Sequence, residues 1–262
     1  MMEYSAFVKP IIDIITNAGD IILQYYDKNI ESTIKDDDSP VTKADIAAND
    51  YIVSELKKIS DITIISEEGI NSTVEKNETF WLVDPLDGTK GFIKHTDEFT
   101  VNIGLIENQK PIFGAVYIPV TKELYYTGED GKAYKRVADG NDKLIEVRET
   151  PDDGMTVVAS KSHMTDETKQ YIDNLNVKDF AAASSSLKFC LLAEGKADIY
   201  PRFGYTMEWD TAAAHAVLLA AGGSLEKTDG SEFVYAKTTN NYPDTEKNYL
   251  NTFFIAWGKK TN

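Results

Sequence analysis

The stretch from Phe80 to Lys94, FWLVDPLDGTKGFIK, carries the clearest pattern in the chain. Its first four residues are large and apolar, which predicts a buried β-strand. The strand ends at two carboxylates, Asp84 and Asp87, and these are followed by Gly88 and Thr89. Two acids at a rigid strand end form either a polar turn or a site that binds cations.

The composition restricts the class of protein and its ligands. The 262 residues suffice for one large domain or two smaller ones, and 42% hydrophobic residues are typical of a globular protein. The formal net charge of −16 argues against a nucleic acid polymer as partner, because such binding requires a basic face. The net charge does not exclude a small anionic ligand, provided that lysine, arginine or metal ions supply positive charge locally.

Cysteine content and the first residues predict the compartment. Cys190 is the single cysteine, so no intrachain disulfide is expected and a reducing compartment fits. Acids interrupt the first apolar segment at Glu3, Asp13 and Asp20, unlike in a signal peptide. No apolar run approaches the roughly 20 residues of a transmembrane segment. We therefore predict a cytoplasmic protein, with peripheral association to the inner membrane left open.

Hydrophobic periodicity predicts two helices near the start of the chain. The second begins after Thr42, its expected N-cap, and Asp45 three positions later completes a capping box. Capping alone therefore explains Asp45, although one carboxylate can serve a second use as well. The first helix is indicated by apolar residues at helical spacing, Phe7, Ile11, Ile14, Ile15, Ala18, Ile22 and Tyr25.

Strand and helix signals differ between the two halves of the chain. The N-terminal half predicts helices on an antiparallel sheet, an α+β domain over residues 1–150. A polar link at 149–154 separates it from a smaller α/β domain over residues 151–262, in which strands and helices alternate. The helices expected there cover 167–175, 187–193 and the alanine-rich segment after Asp210.

Acidic residues recur where predicted elements start or stop. Turns and caps explain each acid taken alone, and Asp210 is a good N-cap for the alanine-rich helix. Taken together, they are hard oxygen ligands of the kind that Mg²⁺ binds, and they would repel one another without cations. The set consists of Asp45, Glu67, Glu68, Asp84, Asp87 and Asp210.

Gly88 and Thr89 add a second use to the same segment. Where a strand passes into a helix, the first backbone N–H groups of the helix are unpaired and favour an anion. Glycine allows the backbone to approach that anion closely. We therefore predict that DPLDGT combines a cation site with a phosphate site.

Four motifs in order resemble the inositol monophosphatase superfamily of Mg²⁺-dependent, often lithium-sensitive phosphatases. WLVDPLDGTKGF and EWDTAAAHAVLLAAGG are similar to its two signatures, and SPVTKAD and ISEEG match two further positions. The resemblance covers the chain from about Ser39 to Gly223. It implies a layered αβαβα sandwich and hydrolysis of phosphate esters.

Other segments are most similar to the 3'(2'),5'-bisphosphate nucleotidases within this superfamily. These segments include GTKGFIKHTDEFTVNIGLI and SSSLKFCLLAEGKADIYPRFG, and Ser66 stands where inositol phosphatases usually carry glycine. Such enzymes remove the 3'-phosphate from 3'-phosphoadenosine 5'-phosphate, a by-product of sulfate assimilation. Ser184, Ala214 and Gly91 depart from the nucleotidase pattern.

The resemblance also implies a role for each acid. Asp45 and Thr89 would orient the attacking water and take its proton. Glu67 would also be catalytic, and Glu68 would assist it without touching the substrate. No covalent phosphoenzyme would form. Gly88 and Thr89 would bind phosphate. Two or three Mg²⁺ ions would be held by Glu67, Asp84, the carbonyl of Leu86, Asp87 and Asp210.

A small-molecule bisphosphate substrate requires cationic side chains. The resemblance points to Lys188 and Arg202, with Ser185 and His163, although most lysines and arginines are solvated surface charges. The histidines lack metal-ligand spacing, so zinc is not expected. His215 and Cys190 are expected to be packed in the interior.

Two alternatives stay open. The first is the same hydrolysis on inositol phosphate or a sugar bisphosphate. The second is a non-catalytic protein that binds cations or nucleotides through the same acids. The sequence makes no prediction of the oligomeric state.

Overall fold

The structure is a computed structural model, and it describes residues 3–26, 32–34, 40–69, 74–159, 165–183, 186–236 and 246–260. The helices are α1 (Val8–Tyr26), α2 (Lys43–Ile59), α3 (Thr89–Ile93), α4 (Asp166–Ile172), α5 (Leu187–Ala193) and α6 (Glu208–Ala220), with short 3-10 helices at Ser5–Phe7 and Glu246–Tyr249. The strands are β1 (Ser32–Ile34), β2 (Pro40–Thr42), β3 (Thr63–Ser66), β4 (Thr79–Asp87), β5 (Thr100–Glu107), β6 (Lys110–Ile118), β7 (Glu123–Thr127), β8 (Ala133–Arg136), β9 (Asp142–Leu144), β10 (Met155–Ala159), β11 (Val177–Ala182), β12 (Ile199–Arg202), β13 (Ser224–Lys227) and β14 (Phe254–Trp257).

Two large sheets divide the strands. In the first, β3 to β9 lie in sequential order, with β3 parallel to β4 and the later pairs antiparallel. The second has the order β11-β10-β12-β14-β13 and mixes parallel with antiparallel pairs. The predicted meander and the later alternation of strands and helices are confirmed. The chain changes sheet between Leu144 and Met155, and the division into two domains at residue 150 stays a prediction.

Helices and sheets alternate in layers. α1 and α2 pack on one face of the first sheet, where Ile15, Ile52 and Trp81 are fully buried. α5 and α6 lie between the two sheets, and α4 packs on the second sheet through Ile172. This order confirms the predicted αβαβα sandwich. In the described part of the chain, no helix combines the length and the apolar character needed to cross a membrane.

α6 lies close to the first sheet because two facing strand positions carry no side chain. A Cβ atom at Gly104 would lie 2.9 Å from the backbone nitrogen of Ala213, and one at Gly114 would overlap the Ala213 carbonyl. Either side chain would push the helix away from the sheet. The contact therefore brings the first turn of α6, which contains Asp210, towards the sheet that carries Asp84.

Two element boundaries next to the acids differ from the sequence prediction, and α4 (Asp166–Ile172) ends earlier than the helix expected over 167–175. β4 continues to Asp87, because pairing with β5 resumes there, opposite Thr100, after an irregularity that follows Asp84. α6 begins at Glu208, because Asp210 Oδ2 accepts a hydrogen bond of 2.7 Å from the backbone N–H of Met207. Asp210 is therefore the third residue of the helix, and its interpretation as the N-cap is wrong.

Candidate active site

The carboxylates of Glu67, Asp84, Asp87 and Asp210 lie close enough to influence one another. The pKa of Asp84 is raised well above its usual range, first by burial and then by the negative charges of the other three. Burial also raises the pKa of Asp210, and repulsion from Asp87 and Glu67 adds to this. The structure thus brings together acids from the ends of β3 and β4 and from the start of α6.

This cluster fits divalent cations. Its side-chain donors are oxygen atoms only, and positive charge would relieve their repulsion. Among the described residues, no group of three or more His, Cys, Asp or Glu side chains is spaced as the ligands of one metal ion. Mg²⁺ does not require such a group, because it keeps several waters and takes one or two carboxylates together with substrate phosphates. A closed structural zinc site would need four converging ligands.

The turn after β4 depends on glycine. Gly88 has φ 94° and ψ 34°, a left-handed conformation that glycine adopts without steric cost, and it turns the chain into α3. Two residues earlier, the backbone N–H of Leu86 donates to Asp84 Oδ1 at 3.1 Å and orients that carboxylate. The predicted passage from strand to helix is confirmed, while phosphate binding by Gly88 and Thr89 stays a prediction.

Asp45 divides its two oxygens between two tasks. Oδ2 accepts the Thr42 backbone N–H at 2.8 Å, which confirms the predicted capping box at the start of α2. Oδ1 accepts the Thr89 hydroxyl at 3.1 Å. Burial raises the pKa of Asp45, and the hydrogen bonds from Thr42 and Thr89 oppose this shift. The predicted contact between Asp45 and Thr89 is therefore present in the fold.

Glu67 is placed by the end of β3. Its backbone N–H donates to Val83 O at 3.1 Å, so the chain still pairs with β4 at this point. The preceding Ser66 is buried, and its hydroxyl donates to Asn49 Oδ1 on α2 at 2.7 Å. This hydrogen bond ties the strand end to α2. Glu68 follows on the same turn and is partly exposed.

Lys188 and Arg202 supply positive charge beside the acids. Lys188 is only 6% exposed, and its Nζ lies 5.3 Å from the centre of the Tyr200 ring. Burial, opposed by Asp87 and Asp210 and assisted by the charge of Arg202, lowers the pKa of Lys188 to about 8. Its interpretation as a solvated surface charge is therefore wrong.

Arg202 is partly exposed at the end of β12. Its Nη2 donates to the backbone oxygen of Tyr205 at 3.0 Å, and its Nε is buried without a hydrogen-bond partner. His163 and Ser185, the other predicted substrate contacts, lie outside the described residues.

Two residues of the site were not predicted. Ser186 Oγ lies 2.9 Å from Asp87 Oδ2, and Asn102 Nδ2 lies 2.9 Å from that hydroxyl. The sequence contains a signal for Asn102, because it is the one polar side chain in the apolar run VNIGLI. Nothing local in the run of serines from Ser184 to Ser186 distinguishes the last one from its neighbours.

Two other side chains are packed, as predicted. Cys190 is 1% exposed, and burial raises the pKa of its thiol. His215 is 3% exposed, and its Nδ1 lies 3.0 Å from the hydroxyl oxygen of Tyr235. Burial lowers the pKa of His215 to about 3, so the ring is neutral in the folded protein at neutral pH.

Comparison with known proteins adds named relatives. The 3'(2'),5'-bisphosphate nucleotidase CysQ of Salmonella typhimurium is 49% identical over 224 residues, covering 84% of this chain and 89% of the relative. The protein of the same name from Buchnera aphidicola is 43% identical over 245 residues, covering 92% and 89%.

Solved structures of similar fold point to the same family. CysQ from Bacteroides thetaiotaomicron, described as a bacterial member of the inositol monophosphatase family, superposes with a TM-score of 0.82 at 37% identity, covering 98% of this chain and 99% of that one. An IMPase from Thermotoga maritima gives 0.76 at 22% identity, covering 96% and 91%, and supports the fold alone. The model of the inositol monophosphatase family matches residues 3–253. The chain belongs to the inositol monophosphatase family.

Proposed function

We propose that this protein is a Mg²⁺-dependent 3'(2'),5'-bisphosphate nucleotidase. It hydrolyses the 3'-phosphate of 3'-phosphoadenosine 5'-phosphate and yields AMP and phosphate. Relatives that are 49% and 43% identical carry the name of this activity. One structural observation carries the proposal: two cations, Lys188 and Arg202, lie beside a cluster of carboxylates that fits divalent ions.

Two or three Mg²⁺ ions are assigned to the cluster. When bound, they supply charge neutralisation at the phosphate and activation of water. The mutual repulsion of the carboxylates supports this assignment, because it makes the site a strong acceptor of positive charge. The residues that would hold the ions are Glu67, Asp84, the backbone oxygen of Leu86, Asp87 and Asp210.

Asp45 and Thr89 handle the proton of the attacking water. The Thr89 hydroxyl donates to Asp45 Oδ1, so its lone pairs accept a hydrogen bond from water and align it. As the water attacks phosphorus, its proton passes to Thr89 Oγ1 while the hydroxyl proton passes to Asp45. The raised pKa of Asp45 suits a carboxylate that receives a proton. The P–O bond to the ribose breaks, and the leaving oxygen is protonated by solvent.

Lys188 and Arg202 are assigned to the second phosphate of the substrate. An inositol monophosphate has one phosphate, which the metal cluster already binds, and it offers these two cations no partner. A bisphosphate nucleotide supplies that partner, and a buried ammonium gains more from a phosphate than an exposed one does. The Gly88 and Thr89 amides are assigned to the scissile phosphate, and Glu68 to support of Glu67.

Phosphate release tests the proposal. With Mg²⁺, turnover of 3'-phosphoadenosine 5'-phosphate should far exceed that of inositol 1-phosphate, and EDTA should abolish it. Faster release from inositol 1-phosphate would move the assignment to an inositol monophosphatase. No release from either, with cation binding intact, would favour a binding protein.

The substrate contact has its own test. Lys188→Met should raise KM for the bisphosphate substantially and KM for 3'-AMP little, because 3'-AMP lacks the second phosphate. An equal rise in KM for both nucleotides would show that Lys188 does not bind the second phosphate. The cytoplasmic location stays a prediction.

A further inference from the structure

Ser186 links the two segments assigned as metal ligands. Its Oγ lies 2.9 Å from Asp87 Oδ2 and 2.9 Å from the backbone oxygen of Asp210. Its backbone N–H also donates to Asp87 Oδ2 at 2.9 Å. Asp87 belongs to β4 and Asp210 to α6, while Ser186 precedes α5. One serine, 1% exposed, thus contacts both acids from a third element.

Asn102 completes this contact from the first sheet. The side chain is fully buried on β5, and Nδ2 lies 2.9 Å from Ser186 Oγ and 3.3 Å from Asp87 Oδ2. Because Nδ2 only donates, Ser186 Oγ accepts from it and keeps its own proton for Asp87 or for the Asp210 carbonyl. The opposite amide orientation would set a carbonyl oxygen against a carboxylate. The cost of the observed orientation is that Asn102 Oδ1 has no hydrogen-bond partner.

The result is a carboxylate that is oriented before a cation binds. Asp87 Oδ2 accepts hydrogen bonds from the Ser186 backbone N–H and from Asn102 Nδ2, and the one proton of Ser186 Oγ goes either to the same oxygen or to the Asp210 carbonyl. The two N–H donors on one oxygen restrict the orientation of the carboxylate. The contact of Ser186 with the Asp210 carbonyl fixes the backbone of α6 relative to the same group. Groups that orient ligating carboxylates in this way commonly change metal affinity by 10–100-fold when removed.

We propose that Ser186 is a positioning residue that sets the geometry of Asp87 and Asp210 relative to each other, and with it the cation affinity of the site, with Asn102 as its support. The inference rests on the proposed function for the assignment of both aspartates as metal ligands. It adds that the affinity depends on a hydroxyl that touches neither cation nor substrate.

The test measures cation binding directly on the full chain without nucleotide. Mn²⁺ is the probe, and free Mn²⁺ is counted by electron paramagnetic resonance. Ser186→Ala removes the hydroxyl but keeps the backbone N–H, and it should weaken Mn²⁺ binding about tenfold. Ser186→Thr keeps a hydroxyl and should restore affinity to within about threefold of the wild type. The control is Thr168→Val, which removes a buried hydroxyl on α4 that lies 3.0 Å from the Thr165 hydroxyl, outside the cluster, and should leave Mn²⁺ binding unchanged.

If Ser186→Ala does not fold, Mn²⁺ binding by Asn102→Leu tests the same inference. This substitution removes the amide donor at similar volume and should also weaken Mn²⁺ binding by about tenfold. Wild-type affinity in a folded Ser186→Ala or Asn102→Leu protein overturns the inference, even if the nucleotide is hydrolysed. Weakened Mn²⁺ binding in a protein without nucleotidase activity supports the positioning role and overturns the proposed function instead.

Discussion

Asp45 and Thr89 are 44 positions apart in the chain and are joined by a hydrogen bond of 3.1 Å between the Thr89 hydroxyl and Asp45 Oδ1. The bond connects the first turn of α2 with the first residue of α3. Because the other oxygen of Asp45 is engaged at Thr42, the position of Oδ1 is set by the helix start itself. A proton acceptor held by a helix cap is preorganised for its reaction.

Replacing Thr89 by valine should therefore lower kcat and leave KM nearly unchanged. The variant keeps the shape of the side chain but removes the hydroxyl that orients water. General base catalysis contributes about 10²–10⁴-fold, and we expect a loss within that range. Steady-state kinetics with the bisphosphate nucleotide measures it.

Thr89→Ser is the matched control, since it retains the hydroxyl and should keep most of kcat. If Thr89→Val turned over substrate at the wild-type rate, the hydroxyl would have no part in proton transfer. Adding Asp45→Asn to Thr89→Val should cost less than the product of the single effects, because both act on one proton.

Asp84→Asn should stabilise the metal-free protein while removing its response to cations. Burial and three neighbouring negative charges raise the pKa of Asp84, so the ionised form is unfavourable in the fold. An uncharged amide removes that repulsion. Thermal melting in EDTA should give a higher Tm for the variant, and adding Mg²⁺ should raise the Tm of the wild type alone. A lower Tm of the variant in EDTA would contradict this account.

His215 makes stability depend on pH in the acid range. Its pKa is about 3 in the fold and about 6.5 in an unfolded chain. Between these values the unfolded state binds a proton that the folded state does not, so stability falls as pH falls from 6.5 towards 3. The loss is about 1.4 kcal/mol per pH unit in this window.

His215→Gln lacks this titration. Urea unfolding at pH 7 and pH 5 should show that the difference in stability between wild type and variant shrinks by about 2 kcal/mol. Between pH 7 and pH 8 the difference should stay constant. A difference that does not change between pH 7 and pH 5 would mean that the histidine becomes charged inside the fold.

Two Arg–Asp pairs with similar geometry should differ in their contribution to stability. Arg148 donates to Asp198 at 2.9 and 2.7 Å, and the Asp198 side chain is 1% exposed. Arg136 donates to Asp142 at 2.7 and 2.8 Å, but the Asp142 side chain is 35% exposed.

Asp198→Ala should cost about 2 kcal/mol, because it removes a buried acceptor from the partly exposed Arg148 guanidinium and from the Thr156 N–H. Asp142→Ala should cost about 1 kcal/mol or less. Urea unfolding of both variants at pH 7 compares the two costs directly. Equal costs would show that burial does not decide the strength of these pairs.

Local rules predicted what adjacent residues decide. The capping box at Thr42 and Asp45 and the turn at Gly88 follow from a few neighbouring positions, and both are present. Asp210 was interpreted as an N-cap because its carboxylate bonds to a helix start, and that bond exists from the third position of the helix. Local sequence distinguishes these two positions poorly, because both place a carboxylate within reach of a free N–H.

Long-range contacts were not available to such rules. Ser186 touches Asp87 and Asp210, which are 99 and 24 residues away in the chain. The packing of α5 against α6 and of α6 against the first sheet brings these groups together. The acids themselves were found because they terminate elements, whereas Asn102 lies inside a strand and is polar for a reason that appears only in three dimensions.

Glycine at positions 104 and 114 has a consequence for which mutations can abolish activity. The two glycines set the depth to which α6 sinks onto the sheet, and Asp210 moves with that helix. A single methyl group at either position would therefore displace Asp210 relative to the other carboxylates, although it changes none of the acids themselves. Substitutions that abolish activity while keeping every carboxylate are therefore expected at Gly104 and Gly114, where α6 packs on the sheet.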